Sequence, residues 1–432
     1  MPQFQMAYFR TDVTPPVGHP LCGGFVQPVI GVSEPLIAQG IVLLEHTQLP
    51  IVLCTVDWCE IRNAHYDFWL AQIASAVGTS PDRVIVHCVH QHNAPIADTE
   101  MNQLAADAPG NLFVMDVGWC EEAANKTAQA AKKSLGSLTT ITHIGTGQAQ
   151  VHEIASARRL MNSSGKVESV RWSACPDPVL RAAPEGTIDP MLKTVSFWNN
   201  DKKLVSLHHY ATHPMSYYGD GIVTSDFVGL ARERCVQEDN GTPHLCFTGC
   251  AGDITAGKYN DGTPVSRSHL AERLYSAIRE SEKQPELAPL ERLGWKTQDI
   301  HLPENMERSA EHLRSLLMDE SNTTAARIGA AFELSFKERL QTRPALTISC
   351  LTLGDCIRMI YLPGEPFIDY QISAQKYLPD LFVTVSGYGD GGPGYIPLAH
   401  SYAEGGYEPT GAFVGPESEA ILKNAIQTLM FS

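Results

Sequence analysis

Three observations predict a mixed α/β fold, with mixed β-sheets flanked by helices and a site built from strand-end loops. Short β-rich apolar runs, such as Ile37 to Leu44, Ile51 to Val56 and Val84 to Val86, alternate with longer stretches of helical periodicity. Some neighbouring runs are separated only by a polar turn, as hairpins are, so a purely parallel, doubly wound sheet is not expected. Run after run also ends in polar side chains, at the positions where α/β proteins place their sites.

The 432 residues are enough for a sizeable core, and they read as one domain, 1–432. Hydrophobic residues at 43% and charged residues at 19% describe an ordinary globular chain. A net charge of −16 argues against nucleic acid as a partner and against docking on an anionic membrane. No apolar run approaches the ~20 residues that span a bilayer, and MPQFQMAYFRTDVTPP has no basic-then-apolar leader pattern. Eleven cysteines without a CxxC pair suit buried free thiols in a reducing compartment, so a cytoplasmic location is expected. Nothing in the sequence marks an oligomeric state.

Taken in order, residues 1–35 are rich in Pro and Gly and read as an irregular arm around TPPVGHPLCGG. The runs 37–44 and 51–56 read as a hairpin that ends in Asp57-Trp58-Cys59-Glu60. His65 to Val77 reads as a helix with Phe68, Leu70, Ile73 and Val77 on its apolar face. Val84 opens a strand that runs into His87, His90 and His92. Asp116 to Leu135 is an Ala-rich helix stopped at Gly136, and Thr139 to Thr212 alternates β-like runs with a proline-rich loop. Leu204 to Pro214 is a second strand ending in histidine, and SDFVGLARERCVQE follows as a helix capped by Thr224 or Ser225. His244 to Asp253 enters a Gly/Cys loop; Ser268 to Ser281 and Glu304 to Asp319 read as surface helices. Residues 282–345 are the most polar stretch, an insertion, a lid or a solvated face. LTISCLTLG and CIRMIYLPG form a hairpin around Gly354-Asp355, and GEPFIDYQISAQKYL is a helix with Pro366 in its first turn. LFVTVSGYG is a last strand, and a helix opening at Gly415-Pro416-Glu417 ends the chain. No internal repeat is visible.

Polar groups collect in five strand-end loops, 57–60, 87–95, 208–226, 249–259 and 363–407. Three imidazoles leaving one buried strand are costly unless something pairs with them, and a metal ion is the usual partner of neutral imidazole. Histidines hydrogen-bonded inside a core are the alternative. HExxH, GxSxG and GxxxxGK[ST] are absent, and Cys250 with a nearby histidine would be the nucleophile of a thiol enzyme.

As an ordered set the segments resemble a known family. VHCVHQHNAP matches T-H-T-H-S-G-P, HHYATHPMS matches F-A-V-H-G-T-S, GCAGDITAG matches N-x-G-D-V-S-P-N, LPGEPF matches a Gly-Glu segment, and YIPLAHSYAEGGYE matches Y-V-T-T-Y-E-E-Y-Q-x-Q-R-Y-E. The family is that of the neutral/alkaline (non-lysosomal) ceramidases, zinc-dependent amidases with an α/β catalytic domain. The resemblance spans nearly the whole chain. It implies one Zn²⁺ held by His90, His213, Glu365 and Tyr395, with a coordination position left for water. It implies an N-acyl substrate, with a metal-activated water attacking the carbonyl. His92, Thr255 and Tyr407 take the catalytic positions, Thr255 standing where the family has Ser. Arg158 and Asp226 fall toward the substrate, with a surface salt bridge and a helix first turn as their alternatives. A zinc esterase or lactonase and a non-catalytic ligand-binding descendant are the competing functions on the same scaffold.

Overall fold

The computed structural model describes residues 4–46 and 48–431. Three sheets, each mainly antiparallel, form its frame. The first runs Val84–Cys88, Ile51–Val56, Ile37–Glu45, Phe4–Asp12 and Thr139–Ile141. The second runs His244–Thr248, Lys202–Tyr210, Met191–Asn199, His143–Gln150 and Glu286–Pro289. The third runs Leu293–Ile300, Leu346–Leu353, Ile357–Tyr361 and Phe382–Ser386.

Each sheet carries one parallel pair at an edge: 51–56 with 84–88, 202–210 with 244–248, and 357–361 with 382–386. Parallel neighbours need a crossover, and a helix supplies it each time: Asn63–Val77, Asp226–Glu238 and Ile368–Tyr377. The fold thus repeats one strand–helix–strand unit three times, although the sequence shows no repeat. The carboxyl ends of the three units meet. His87 ties them together: its Nδ1–H donates to the Gly387 carbonyl (2.9 Å) and its Nε2 accepts from the Thr248 amide (2.9 Å). Burial pushes that imidazole down to about 3, so it serves as a neutral bracket between strands.

Two expectations are corrected. The N-terminal arm is a strand over Phe4–Asp12, seated between Ile37–Glu45 and Thr139–Ile141, because Phe4, Met6 and Phe9 point into the core. Residues 1–3 of that arm, with Thr47 and Ser432, lie outside the described residues. Pro366 is not in a helix first turn; it belongs to the short strand Glu365–Pro366, and the helix starts at Ile368, whose amide donates to Asp253.

The polar stretch 282–345 is woven into the fold. It supplies Glu286–Pro289 to the second sheet, Leu293–Ile300 to the third, and a helix over Thr324–Thr342 that is largely buried. Buried ionic side chains explain its composition: Arg339 pairs with Asp390 (3.2 Å), and Lys337 donates to the Asn305 carbonyl (2.7 Å). Among the described residues no helix is long and apolar enough to cross a membrane.

Candidate metal centre

Each of the three units delivers one group to a common point. After Val84–Cys88 the chain turns on bonds from Val89 N to Val56 O (2.8 Å) and from His90 N to Trp58 O (3.0 Å). His90 takes φ +78°, left-handed backbone that a non-glycine residue adopts at a cost of order 1–3 kcal/mol. After Lys202–Tyr210 the chain brings His213 in, its amide held by the Ile254 carbonyl (3.0 Å). After Ile357–Tyr361, Glu365 sits directly opposite Tyr395 in a small parallel pair.

The tautomers follow from the hydrogen bonds. His90 Nδ1–H donates to the Cys59 carbonyl (2.8 Å), and His213 Nδ1–H donates to Ala251 O (2.8 Å) and Ile254 O (3.1 Å). Each neutral ring therefore presents its Nε2 lone pair, the arrangement in which metal-binding histidines are fixed. Those nitrogens face Glu365 Oε2 at 3.3 Å from His90 and 3.2 Å from His213. All three atoms are buried and make no hydrogen bond with the described residues. Two lone pairs and a carboxylate oxygen crowded together repel one another; a cation at their centre satisfies all three. A proton on an imidazole, paired with the carboxylate, is the other way to satisfy these atoms. Burial works to raise the Glu365 carboxyl, yet the two histidines hold it well below the usual carboxylate range. Burial works to lower His90, yet Glu365 raises it.

The candidate ligand set thus contains two neutral imidazoles and one carboxylate, with Tyr395 beside Glu365. Tyr395 is buried, and the Arg158 guanidinium lies 4.9 Å from its ring centroid. Gly252 closes the back of the site: a Cβ there would lie 2.3 Å from the Glu365 carbonyl oxygen. Gly252→Ala is expected to shift Glu365, costing about 1–3 kcal/mol of stability and weakening the candidate centre's hold on an added cation; a chelator titration beside a denaturant melt checks both.

A cavity of about 420 Å³ opens on this centre. His90, His213, Glu365, Tyr395, His92, Arg158 and Tyr407 all line it. His92 donates from Nδ1–H to the His90 carbonyl (3.1 Å), which leaves its Nε2 lone pair available. Burial, seconded by His90, holds that imidazole well below its usual value. Arg158 is buried, its Nε–H bonded to Glu408 (2.7 Å), so the surface-salt-bridge alternative is set aside for a buried ion pair. Tyr407 packs against Tyr395 (5.6 Å between centroids) and Trp172 (5.0 Å) at the rim.

Two expected site residues stand outside the cavity. The Thr255 hydroxyl is buried in the turn behind the site, donating to the Arg171 carbonyl (3.2 Å) and accepting from the Gly257 amide (3.3 Å). Asp226 begins its helix and accepts from the Ser216 and Phe227 amides (3.0 and 2.6 Å), which braces the loop after His213. Neither side chain lines the cavity, and Asp226 takes the helix-first-turn place that was its alternative. Cys250 is fully buried and burial pushes its thiol up, the reverse of an activated nucleophile.

Sequence reasoning missed Tyr388, whose ring packs 4.4 Å from the His90 ring and 6.2 Å from His213. It singled out the 57–60 loop without a role for Glu60, and it missed Arg62 in the cavity wall. Tyr388 stands in the glycine-rich GYGDGG loop, at a left-handed φ of +57° that no residue pattern announces.

No family model and no curated protein matches the chain. Solved structures do. A structure described as "Ceramidase complexed with C2" superposes with a TM-score of 0.71 at 14% identity, over 99% of this chain and 75% of that one. The neutral ceramidase from Pseudomonas aeruginosa gives a TM-score of 0.70 at 15% identity, over 99% of this chain and 74% of that one. The chain has the ceramidase-like fold.

Proposed function

We propose that this chain, built on the ceramidase-like fold, is a zinc-dependent hydrolase of N-acyl amide bonds. The observation that carries the reading is the convergence of His90 Nε2, His213 Nε2 and Glu365 Oε2, three buried atoms without hydrogen bonds. These three residues and Tyr395 would hold the metal. Zinc bound there would supply a Lewis acid for the carbonyl and a water acidic enough to attack it near neutral pH. The ceramidase structures give this fold a precedent with amide chemistry.

The chain's own groups account for the remaining steps. His92, neutral and with its Nε2 lone pair free, takes a proton from water and returns it to the leaving nitrogen. Arg158 keeps a fixed positive charge in the cavity wall, where the oxygen of a tetrahedral intermediate would develop negative charge. The Tyr407 side chain on the same wall orients the carbonyl. Exposed aromatic rings at the rim, Phe25, Trp172 and Tyr218, offer apolar surface to an acyl group.

The test is release of free amine from a panel of N-acyl amides and their matched esters by zinc-loaded protein, with His92→Gln beside it. The variant is expected to keep its zinc and lose about 10²–10⁴-fold in turnover. Ester cleavage without amide cleavage would move the function to an esterase; full activity in His92→Gln would remove that residue from the chemistry.

A further inference from the structure

The cavity wall beside the metal centre carries a charged group that the hydrolytic scheme does not use. Glu60 lies on the short strand Glu60–Ile61, directly after the residue whose carbonyl holds His90, and pairs in parallel with Ile96–Ala97. Its side chain is only 9% exposed and lines the cavity. One carboxylate oxygen, Oε2, accepts from Arg62 (2.7 Å). The other, Oε1, accepts no hydrogen bond from the described residues, yet it is not among the sealed, unpartnered atoms and so borders open space.

Arg62 cannot swing away from this pairing. A second amino group donates to the Gly392 carbonyl (3.1 Å), Nε lies 3.4 Å from Asp98, and the guanidinium stacks 4.4 Å from the Phe332 ring and 5.3 Å from the Phe413 ring. The carboxylate is therefore clamped, with Cys59, Ile96, Phe332 and Phe413 in the same cavity wall and the candidate ligands His90 and Glu365 close enough to act on it electrostatically. A fixed acceptor in such a wall, with one oxygen open, is costly to bury against an alkyl group and favourable against a donor. Sites built to hydrogen-bond a substrate OH or NH reject analogues that lack it.

We propose that Glu60 is a specificity-determining residue, which selects an N-acyl substrate whose amine half carries a hydrogen-bond donor, hydroxyl or ammonium, a few bonds from the amide nitrogen. This rests on the amide reading above. Arg62 is a positioning residue, acting through Glu60.

The experiment uses three isosteric ligands: N-propylacetamide, N-(2-hydroxyethyl)acetamide and N-(2-aminoethyl)acetamide. Calorimetry on the zinc-loaded protein reads binding heat where a ligand is only held and turnover heat where it is cleaved. Wild type is expected to favour at least one donor-bearing ligand over the propyl compound by about tenfold or more, and the favoured one separates hydroxyl from ammonium. In Glu60→Met that ratio is expected to fall below about threefold while zinc content is kept. If Glu60→Met does not fold, Glu60→Gln keeps an acceptor for Arg62 and is expected to lose the ammonium ligand's advantage and cut the hydroxyl's at least about threefold. A wild type indifferent to the donor, a folded variant that keeps the preference, or no heat from any ligand overturns the assignment. A Glu60-dependent binding preference without cleavage supports it and sinks the hydrolase reading instead.

Discussion

His213→Ala is expected to purify folded but without its metal, and amide hydrolysis should fall by about a thousandfold or more. Several kcal/mol of transition-state stabilisation from a Lewis acid correspond to at least that factor. The substitution removes one of two imidazole donors and leaves His90, Glu365 and Tyr395, a set with a single nitrogen ligand that is expected to hold zinc too weakly to survive purification. It also strips the Ala251 and Ile254 carbonyls of their ring N–H, a local cost that circular dichroism and a melting curve separate from the loss of metal. A His213→Ala protein that kept one zinc per chain and its activity would exclude this residue as a ligand.

Arg232→Met is expected to destabilise the protein by about 3–5 kcal/mol, the usual consequence of leaving a buried partner charge alone. Arg232, on the helix Asp226–Glu238, donates twice to Asp57 (2.7 and 2.8 Å), and both side chains are 1% exposed. Asp57 also accepts from the Ile37 amide (3.0 Å) and from Gln91 Nε2 (3.2 Å). One carboxylate thus joins the end of a strand in the first unit to the crossover helix of the second, with Gln91 beside the ligand His90. Urea unfolding of Arg232→Met, Asp57→Leu and the double variant checks this. The double variant should recover part of the loss, since no charge is then left unpaired; a single-variant loss under about 1 kcal/mol would contradict the account.

The parts of this site that could be read from sequence were those with a spacing. His90 and His92 follow a β-rich run, His213 ends another, and Glu365 sits behind a Gly at a strand end, so strand periodicity placed them on loops. The direction of a side chain within a tight turn has no such signature. Thr255 and Asp226 occupy the expected segments, but their oxygens point to backbone amides and carbonyls instead of the cavity. Glu60 was legible only as a polar residue at a strand end, because its meaning depends on Arg62 and on rings from Phe332 and Phe413 far along the chain. The helix Thr324–Thr342 was hidden for a similar reason: Glu333, Lys337 and Arg339 look solvated in sequence and are buried by mutual pairing. The threefold repetition of the strand–helix–strand unit lives in topology alone, since each copy fills its core with different side chains.

The central claim is a zinc ion held by groups from all three units. Crystals grown with zinc and measured on both sides of the zinc absorption edge test it most directly, with elemental analysis of the same preparation. One anomalous peak per chain is predicted, about 2.0–2.2 Å from His90 Nε2, His213 Nε2 and a Glu365 oxygen, with the Tyr395 hydroxyl as the fourth protein ligand. A peak elsewhere, or none at full zinc saturation, would contradict the account.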